Sequence, residues 1–353
     1  MHVCLSYPRL ILILIPFFVL TTAGTIRAQS SARYTLVIHG GAGTITRANM
    51  KSEMEKAYLR SLEAALDQGE KMLASGRTAL DVVEAVVRFL EDDSLFNAGK
   101  GAVYTHAGEH ELDAAIMNGK NLMAGAVAGV KTIRNPITAA RSVMEHSEHV
   151  MLSGRGAEEF AKQRGLEGVD NSYFHTESRR RALERALEAE RKEAKEKQVP
   201  SAKNTAMKND WKYGTVGAVA LDQYGDLAAA TSTGGMTNKK FGRIGDAPLI
   251  GSGTYADSLV AVSCTGWGEF FIRMVMAKSL ADRMRFGKQT LAQAGHELIN
   301  IELPKMGGDG GLIAVDQNGE PIMPFCTEGM YRGFVRKLSG DTVPQRQVAI
   351  YKD

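Results

Sequence analysis

The sequence is poor in cysteine and in net charge. Among its 353 residues are three cysteines, and Cys4 lies ahead of an N-terminal apolar run, so only Cys264 and Cys326 could pair. Two cysteines do not make a disulfide framework, and the apolar residues around Cys264 favour a buried free thiol. The 43 basic and 40 acidic residues leave a net charge of +3, too little to predict a nucleic-acid or polyanion binder.

The sequence also lacks long apolar runs, apart from one at the N-terminus. Arg9 precedes the 11 residues LILILIPFFVL at 10–20, and the segment TTAGTIRA with its small residues follows. The run is too short to span a bilayer and is interrupted by proline. This pattern predicts a secretory signal over 1–28, cleaved after Ala23 or, by preference, Ala28. An uncleaved membrane anchor stays open as the alternative. We expect a soluble exported protein, periplasmic or secreted.

Metal-ligating clusters are scarce as well. His106/His110 and His146/His149 have spacings that suit a metal, but neither pair completes a zinc set. We expect these histidines to be exposed to solvent. The glycine-rich segments GGAG and GGDGG do not complete a phosphate-binding fingerprint, which favours tight backbone turns instead.

What is present indicates an ordered, glycine-rich chain. Apolar residues make up 44%, charged residues 24%, and 37 residues are glycine. The predicted elements of the first half are a buried strand at 34–38 entering a glycine turn at 39–43, a helix at 51–75, a helix capped by Thr78 with Asp81 in capping-box position, a loop, short strand, turn and strand over 95–119, and a helix opened by Asn135 and Pro136.

The composition changes near residue 170. Between Glu177 and Lys197, 14 of 21 residues are charged, with alternating signs at helical spacing. This pattern is typical of a solvated helix or a disordered linker without an apolar face worth burying. The polar stretch that follows extends the predicted linker to about residue 213.

Regular patterns return at residue 214. We predict a hairpin over 215–233, strands in LIGSGTY and SLVAVSC, helices at 268–286 and 289–302, and a closing hairpin in GGLIAVDQNGEPIMPFC. Strands come before helices in each half and are joined as hairpins. The sequence therefore predicts an α+β fold with antiparallel sheets covered by helices.

The end of the linker carries the first sign of chemistry. A long exposed segment runs into Gly214 and Thr215, where a chain cut would be natural. A threonine hydroxyl needs an adjacent base to become a good nucleophile, and a free α-amine on Thr215 would supply one with an ordinary pKa near 7.7–8.0. Gly214 can adopt strained geometry that assists such a cut. Taken alone, Thr215 is better explained as a β-branched residue that opens a strand.

Seven segments in order strengthen the catalytic interpretation. They are VIHGGAGTI (37–45), LFNAGKGAV (95–103), HELDAAIMNG (110–119), YGTVGAVALD (213–222), TSTGGMTNKKFGRIGDAPLIGSGTYAD (231–257), SCTGWGE (263–269) and GGDGGLIAVD (307–316). With these segments the sequence resembles the isoaspartyl peptidase/L-asparaginase family, the plant-type asparaginases among the N-terminal-nucleophile hydrolases.

The resemblance implies a four-layer αββα sandwich and a self-cleaving amidohydrolase of isoaspartyl peptides and L-asparagine. The Gly214–Thr215 bond would be the cleavage site, giving an α subunit (29–214) and a β subunit (215–353) that form one catalytic domain and assemble as an (αβ)₂ dimer. Thr215 would be the nucleophile, tuned by Thr233, while Thr265 and Gly266 would form the oxyanion hole. Asn97 is a further candidate near the nucleophile.

The resemblance also implies how substrate and cation are held. Arg243 and Asp246 would bind the α-carboxylate and α-ammonium of the substrate. Catalysis would need no cofactor. A structural sodium ion would be wrapped by the loop from 90 to 100, with ligands from Leu90, Glu91, Asp93, Phe96, Ala98 and Lys100.

Two positions depart from the usual family pattern. Trp267 follows the proposed oxyanion residues where many members have a small residue or threonine, and Ala247 replaces the commoner serine. The bulk of Trp267 and the exported location keep glycosylasparaginase open as an alternative. A non-cleaving binding protein for aspartyl metabolites is the alternative from another class.

Overall fold

Two stacked β-sheets form the centre of the fold. The structure is a computed structural model that describes residues 1–2, 33–196 and 214–352. Both candidate signal-cleavage sites and the last part of the predicted linker lie outside the described residues. The larger sheet has the order β12-β11-β1-β5-β6-β2-β3-β4 and the smaller sheet the order β10-β9-β8-β7. The strands are β1 Tyr34–Gly43, β2 Leu112–Asn118, β3 Ala124–Val130, β4 Met151–Ser153, β5 Val216–Leu221, β6 Leu227–Thr233, β7 Thr254–Ala256, β8 Val260–Gly266, β9 Gly310–Asp316, β10 Pro321–Ile322, β11 Gly329–Lys337 and β12 Gln345–Tyr351.

Helices cover both outer faces of the two sheets. They are α1 Ser52–Ala74, α2 Ala79–Asp92, α3 Pro136–His146, α4 Gly154–Gln163, α5 Glu177–Glu196, α6 Gly268–Met274, α7 Met276–Arg285, α8 Leu291–His296 and α9 Leu303–Lys305, with a π-helix at Glu297–Glu302 and 3₁₀ turns at Arg47–Asn49, Gly99–Gly101 and Asn171–Phe174. Helices α1 to α4 pack on the larger sheet, and α6 to α8 pack on the smaller one. The predicted αββα sandwich is therefore confirmed, as are the helix at 51–75 and the Thr78 cap, whose hydroxyl accepts from the Asp81 N–H.

Strand pairing follows the antiparallel prediction with one exception. Among the described residues, every neighbouring pair is antiparallel except β3 and β4, which are parallel. The chain between β3 and β4 passes through α3, and a crossover of that kind returns it in the same direction.

The central strands bury both of their faces. On β5, Ala218 packs toward the helices α1 to α3, while its neighbour Val219 packs between the two sheets. Alternation along a strand sends successive side chains to opposite faces. A strand covered on both sides therefore needs an unbroken run of apolar or small residues, as the sequence VGAVAL supplies.

Three sequence predictions need correction. The glycines at 40–43 do not form a turn but continue β1, with a register shift between His39 and Gly41 that bends the strand. The predicted helix at 268–286 is broken at Val275, whose φ of +46° is incompatible with a continuous α-helix. Of the predicted strand LIGSGTY, only the end is extended, because residues before Thr254 form turns.

The charged segment is also more integrated than predicted. It forms α5, and although most of its side chains are exposed, Leu183 and Ala186 are buried. At its start, Arg179 donates from Nε to the Gly101 carbonyl at 2.8 Å, which ties the helix to the loop that carries Asn97. No helix in the described residues has the length and apolar character needed to cross a membrane.

Candidate active site

The β5–β6 hairpin places the two candidate threonines side by side. Val216 lies opposite Ser232 in the register, so Thr215 at the start of β5 meets Thr233 at the end of β6. The Thr215 hydroxyl donates to Thr233 Oγ1 at 3.1 Å. The local sequence thus brings a candidate nucleophile and its partner together through one antiparallel turn.

Thr233 connects the Thr215 hydroxyl to the carbonyl of the preceding residue. Its oxygen accepts from the Gly235 N–H at 2.9 Å, and its hydroxyl donates to the Gly214 carbonyl at 3.2 Å. A hydroxyl has one proton to donate and two lone pairs to accept with, so these contacts can coexist. The arrangement forms a continuous path from the Thr215 hydroxyl to the Gly214 carbonyl oxygen.

Asn97, which is 117 positions away in the sequence, binds the same carbonyl. Its Nδ2 donates to Gly214 O at 2.7 Å and to Gly235 O at 2.8 Å, while its Oδ1 accepts from Val103 N at 2.9 Å. All three contacts fix the side-chain amide in one orientation. The structure therefore brings Asn97 into direct contact with the candidate scissile peptide.

A small cavity adjoins these groups. Its lining residues are Gly214, Thr215, Thr233, Gly235, Met236, Arg243, Gly245, Asp246 and Gly266. Its volume is about 10 Å³, on the order of a single water molecule. The uncut chain around Gly214 therefore leaves no room there for an amino-acid substrate.

Arg243 and Asp246, the two candidates for substrate binding, both line this cavity. The guanidinium of Arg243 forms an ion pair with Glu269 at 2.9 Å. Asp246 is 7% exposed, and its Oδ2 is buried without a hydrogen-bond partner. Burial raises the pKa of Asp246 to about 7, opposed in part by the positive charge of Arg243. A nearby cation would lower the raised pKa and provide the missing hydrogen bond.

The candidate oxyanion residues lie at the end of β8. Gly266 lines the cavity with a φ of +158°, and an added Cβ there would lie 2.5 Å from the Asp309 carbonyl oxygen. Thr265 is buried, and its Oγ1 accepts from the Ala42 N–H at 3.3 Å. Since an accepting hydroxyl keeps its own proton, Thr265 can still donate to another oxygen. Its neighbour Cys264 is a buried free thiol, as predicted.

A buried polar chain behind the site was not predicted from the sequence. His39 contacts the Thr215 carbonyl through Nδ1 and Ser263 Oγ through Nε2, both at 2.9 Å. Burial lowers the pKa of His39 to about 3, so the ring is neutral, and the carbonyl acceptor requires the proton on Nδ1. Through Thr231 and Thr254 the chain continues to the carbonyl next to Asp246. The only sequence signal was a histidine at the glycine-rich end of β1.

The prediction of exposed histidines is wrong for His110. Its side chain is buried beside Tyr104 and Phe174, and Nδ1 contacts the Val103 carbonyl at 3.1 Å. Burial lowers the pKa of His110 to about 4. No group of three or more His, Cys, Asp or Glu side chains suited to a metal occurs in the described part of the chain.

Two glycines lie close to backbone carbonyls of the loop from 90 to 100. A Cβ on Gly99 would lie 2.3 Å from the Glu91 carbonyl oxygen, and one on Gly101 would lie 2.0 Å from the Phe96 carbonyl oxygen. Both positions therefore require glycine. Backbone carbonyl oxygens are ligands that suit a hard cation. A sodium ion held by this loop stays a prediction.

Comparison with known proteins places this site in a family. The sequence profile of the family described as "Asparaginase" matches residues 32–343. An isoaspartyl peptidase of Escherichia coli is 51% identical over 308 residues, which cover 87% of this chain and 94% of the relative. A putative isoaspartyl peptidase/L-asparaginase of Dictyostelium discoideum is 48% identical over 341 residues, 90% of this chain and 98% of the relative. A plant-type L-asparaginase of Pyrococcus abyssi is 40% identical over 312 residues, which cover 86% of this chain and 96% of the relative.

These matches span nearly the whole folded part of the chain and nearly the whole of each relative. All three relatives are named as peptidases or asparaginases, which gives no support to the alternative of a non-cleaving binding protein. The chain is therefore a hydrolase and belongs to the isoaspartyl peptidase/L-asparaginase family.

Proposed function

We propose that the protein is a self-cleaving amidohydrolase that hydrolyses β-aspartyl peptides and L-asparagine, with Thr215 as its nucleophile. The main support is the hydrogen-bonded path from the Thr215 hydroxyl through Thr233 to the Gly214 carbonyl, with Asn97 donating to the same oxygen. A serine, threonine or cysteine side chain that attacks its own preceding peptide needs a proton acceptor and a polarised carbonyl. Both are in contact with Thr215 and Gly214.

In the proposed cleavage, Thr215 Oγ attacks the Gly214 carbonyl carbon. As the hydroxyl proton passes to Thr233 Oγ1, Thr233 passes its own proton to the Gly214 oxygen, and Asn97 Nδ2 stabilises the negative charge that develops there. Collapse of this tetrahedral intermediate breaks the C–N bond, moves that proton from the Gly214 oxygen to the nitrogen that becomes the α-amine of Thr215, and leaves an ester. Water then hydrolyses the ester, which releases the carboxylate of Gly214 and restores the Thr215 hydroxyl. Movement of residue 214 away from Thr215 would widen the cavity that it now lines.

In the proposed turnover, the free α-amine of Thr215 acts as the base. It takes the hydroxyl proton as Oγ attacks the side-chain carbonyl of the substrate, and the Thr265 hydroxyl and Gly266 N–H stabilise the oxyanion. The leaving ammonia or peptide amine takes that proton, and a β-aspartyl ester of Thr215 forms. Water attacks the ester with the α-amine again as base, and L-aspartate leaves.

Arg243 and Asp246 supply recognition in this proposal. The guanidinium binds the α-carboxylate of the substrate, and the buried Asp246 carboxylate binds the α-ammonium. Asp246 lacks a partner for Oδ2 in the uncut chain, and an ammonium at that position would provide one. The requirement for both charges would restrict substrates to those with a free aspartyl head group.

The proposal also includes the subunit assembly of the protein, its bound cation and its cellular location. After cleavage, residues 29–214 and 215–353 would remain together and pair as an (αβ)₂ dimer. Sodium bound by loop carbonyls between 90 and 100 would hold that loop, and with it Asn97, in place. Export through a signal over 1–28 to the periplasm or the exterior is expected from the sequence, and the predicted signal lies almost entirely outside the described residues.

Substrate comparison tests the proposed activity. With cleaved enzyme, we expect release of L-aspartate from a β-aspartyl dipeptide and from L-asparagine, measured as kcat/KM by coupled detection of aspartate. A glycosylated asparagine, whose sugar must fit beside the same catalytic residues, is the third substrate. If only the glycosylated asparagine is hydrolysed, the protein is a glycosylasparaginase and the proposed substrate class is wrong.

Asn97→Asp should slow self-cleavage by roughly 10²-fold, because it removes an N–H donor from the position of the oxyanion while keeping the side-chain shape. The rate is measured by denaturing electrophoresis of refolded or freshly translated chain over time. Asn118→Asp is the control, since Asn118 accepts from the Lys120 N–H in a distant turn through Oδ1, which the change preserves. Equal cleavage rates for Asn97→Asp and wild type would contradict the role of Asn97.

A further inference from the structure

Glu269 binds one edge of the Arg243 guanidinium and leaves the other edge available. Nε donates to Glu269 Oε1 and Nη2 donates to Glu269 Oε2, each at 2.9 Å. Glu269 therefore occupies the side of the guanidinium that contains Nε. A planar guanidinium has five N–H donors, so the terminal edge with Nη1 keeps donors for a second carboxylate.

The guanidinium is also confined by close backbone contacts. A Cβ on Gly245 would lie 2.8 Å from Arg243 Nη1, and a Cβ on Gly268 would lie 2.8 Å from Nη2. Any larger residue at either position would displace the arginine. Together with the ion pair, this packing leaves the Arg243 side chain 18% exposed, although it sits on a loop at the edge of the cavity.

Glu269 is itself held in place. It lies in the first turn of α6, and both of its carboxylate oxygens accept hydrogen bonds from Arg243. Partial burial opposes ionisation of Glu269, but the hydrogen bonds and charge of Arg243 outweigh it and lower the pKa. The carboxylate is thus ionised and oriented over the neutral pH range.

We propose that Glu269 is a positioning residue for substrate binding: it holds the Nε edge of Arg243 so that the terminal edge faces the α-carboxylate of the substrate. This inference rests on the proposed function, in which Arg243 binds that carboxylate. Glu269 touches neither the Thr215 hydroxyl nor the scissile carbonyl. Its contribution therefore falls on substrate affinity rather than on the chemical step.

The test compares Glu269→Gln with wild type after self-cleavage. Glutamine keeps the size of the side chain, but its NH₂ group faces an N–H of Arg243 and cannot accept from it, so the two-point contact is lost. We expect KM for L-asparagine to rise about tenfold with kcat within about twofold, and self-cleavage to proceed as in wild type.

Glu302→Gln is the matched control. Glu302 accepts two hydrogen bonds from Arg283 Nη2 at 2.8 Å, and its side chain is 40% exposed against 46% for Glu269. Loss of that pair should leave KM unchanged. If Glu269→Gln and the control have the same KM as wild type, the positioning role is refuted. A lower KM in Glu269→Gln would also refute it, because Glu269 would then compete with the substrate for Arg243.

Binding of L-aspartate separates this inference from the proposed activity. Calorimetry on cleaved enzyme should give a dissociation constant about tenfold weaker in Glu269→Gln than in wild type. If wild type binds L-aspartate but hydrolyses neither L-asparagine nor the β-aspartyl dipeptide, the proposed function fails while the affinity comparison still tests Glu269. If wild type hydrolyses both and the affinities are equal, only the inference about Glu269 fails.

Discussion

Thr215→Ala is expected to leave the chain uncut at residue 214 and without measurable hydrolysis of L-asparagine. Alanine lacks the hydroxyl that now donates to Thr233, so neither the cleavage ester nor the substrate ester can form. Loss of a catalytic nucleophile typically lowers kcat by about 10⁴-fold or more. Intact mass under denaturing conditions should show wild type as two pieces, the smaller being the 139 residues from Thr215 onward, and the variant as one.

Two further variants test whether the effect depends on the Thr215 hydroxyl in particular. Thr215→Ser keeps a hydroxyl and should still be cut, more slowly. Thr35→Ala removes a different buried threonine hydroxyl, which donates to the Gly319 carbonyl at 2.9 Å, and should be cut at the wild-type rate. Cleavage of Thr215→Ala at residue 214 would contradict the assignment of the nucleophile.

Asp246→Asn should abolish substrate binding and yet stabilise the fold. The neutral amide cannot balance the α-ammonium, so we expect kcat/KM for L-asparagine to fall by roughly 10²-fold or more while self-cleavage continues. The folded state holds the proton of Asp246 up to about pH 7, whereas an unfolded aspartate loses it near pH 3.9. Between these values the unfolded state binds fewer protons, so this group lowers the free energy of unfolding as pH rises.

Removing that charge should therefore raise the melting temperature at pH 8 by about 2 °C or more, and the difference should shrink toward pH 5. The same pKa predicts that kcat/KM of wild type decreases as pH falls below about 7, as Asp246 takes up a proton. Asp257→Asn is the control, because Asp257 is equally buried but paired with Arg285 at 2.8 Å. It should melt at a lower temperature with KM unchanged. A melting temperature for Asp246→Asn at or below that of wild type at pH 8 would contradict the raised pKa.

Local patterns in the sequence were sufficient for much of the fold. The hairpin of β5 and β6 and the helices α1 to α3 follow from apolar periodicity, caps and turn residues, all of which act within a few residues. The hairpin alone brings Thr215 next to Thr233. Where local signals were ambiguous, as in the glycine-rich residues 40–43, pairing with β11 made a strand of a segment that was expected to turn.

The charged helix α5 shows a different limit. Its composition left a solvated helix and a disordered linker both open, and it predicted no face worth burying. The structure shows a helix in which Leu183 and Ala186 are buried and Arg179 donates to backbone carbonyls. Two apolar side chains in a highly charged segment are too few to produce a recognisable apolar periodicity. Whether they are buried depends on which part of the folded chain packs against them.

By itself, the sequence predicted most of the strands and helices, sheets that are antiparallel apart from one strand pair, and Thr215 as the proposed nucleophile. Only the tertiary structure decided which groups surround that threonine. Asn97 reaches Gly214 across 117 positions, His39 reaches Thr215 across 176, and Glu269 rather than Asp246 takes the side edge of Arg243. Such contacts depend on how two sheets stack and where loops return, and a single sequence records periodicity along the chain but not distance across it.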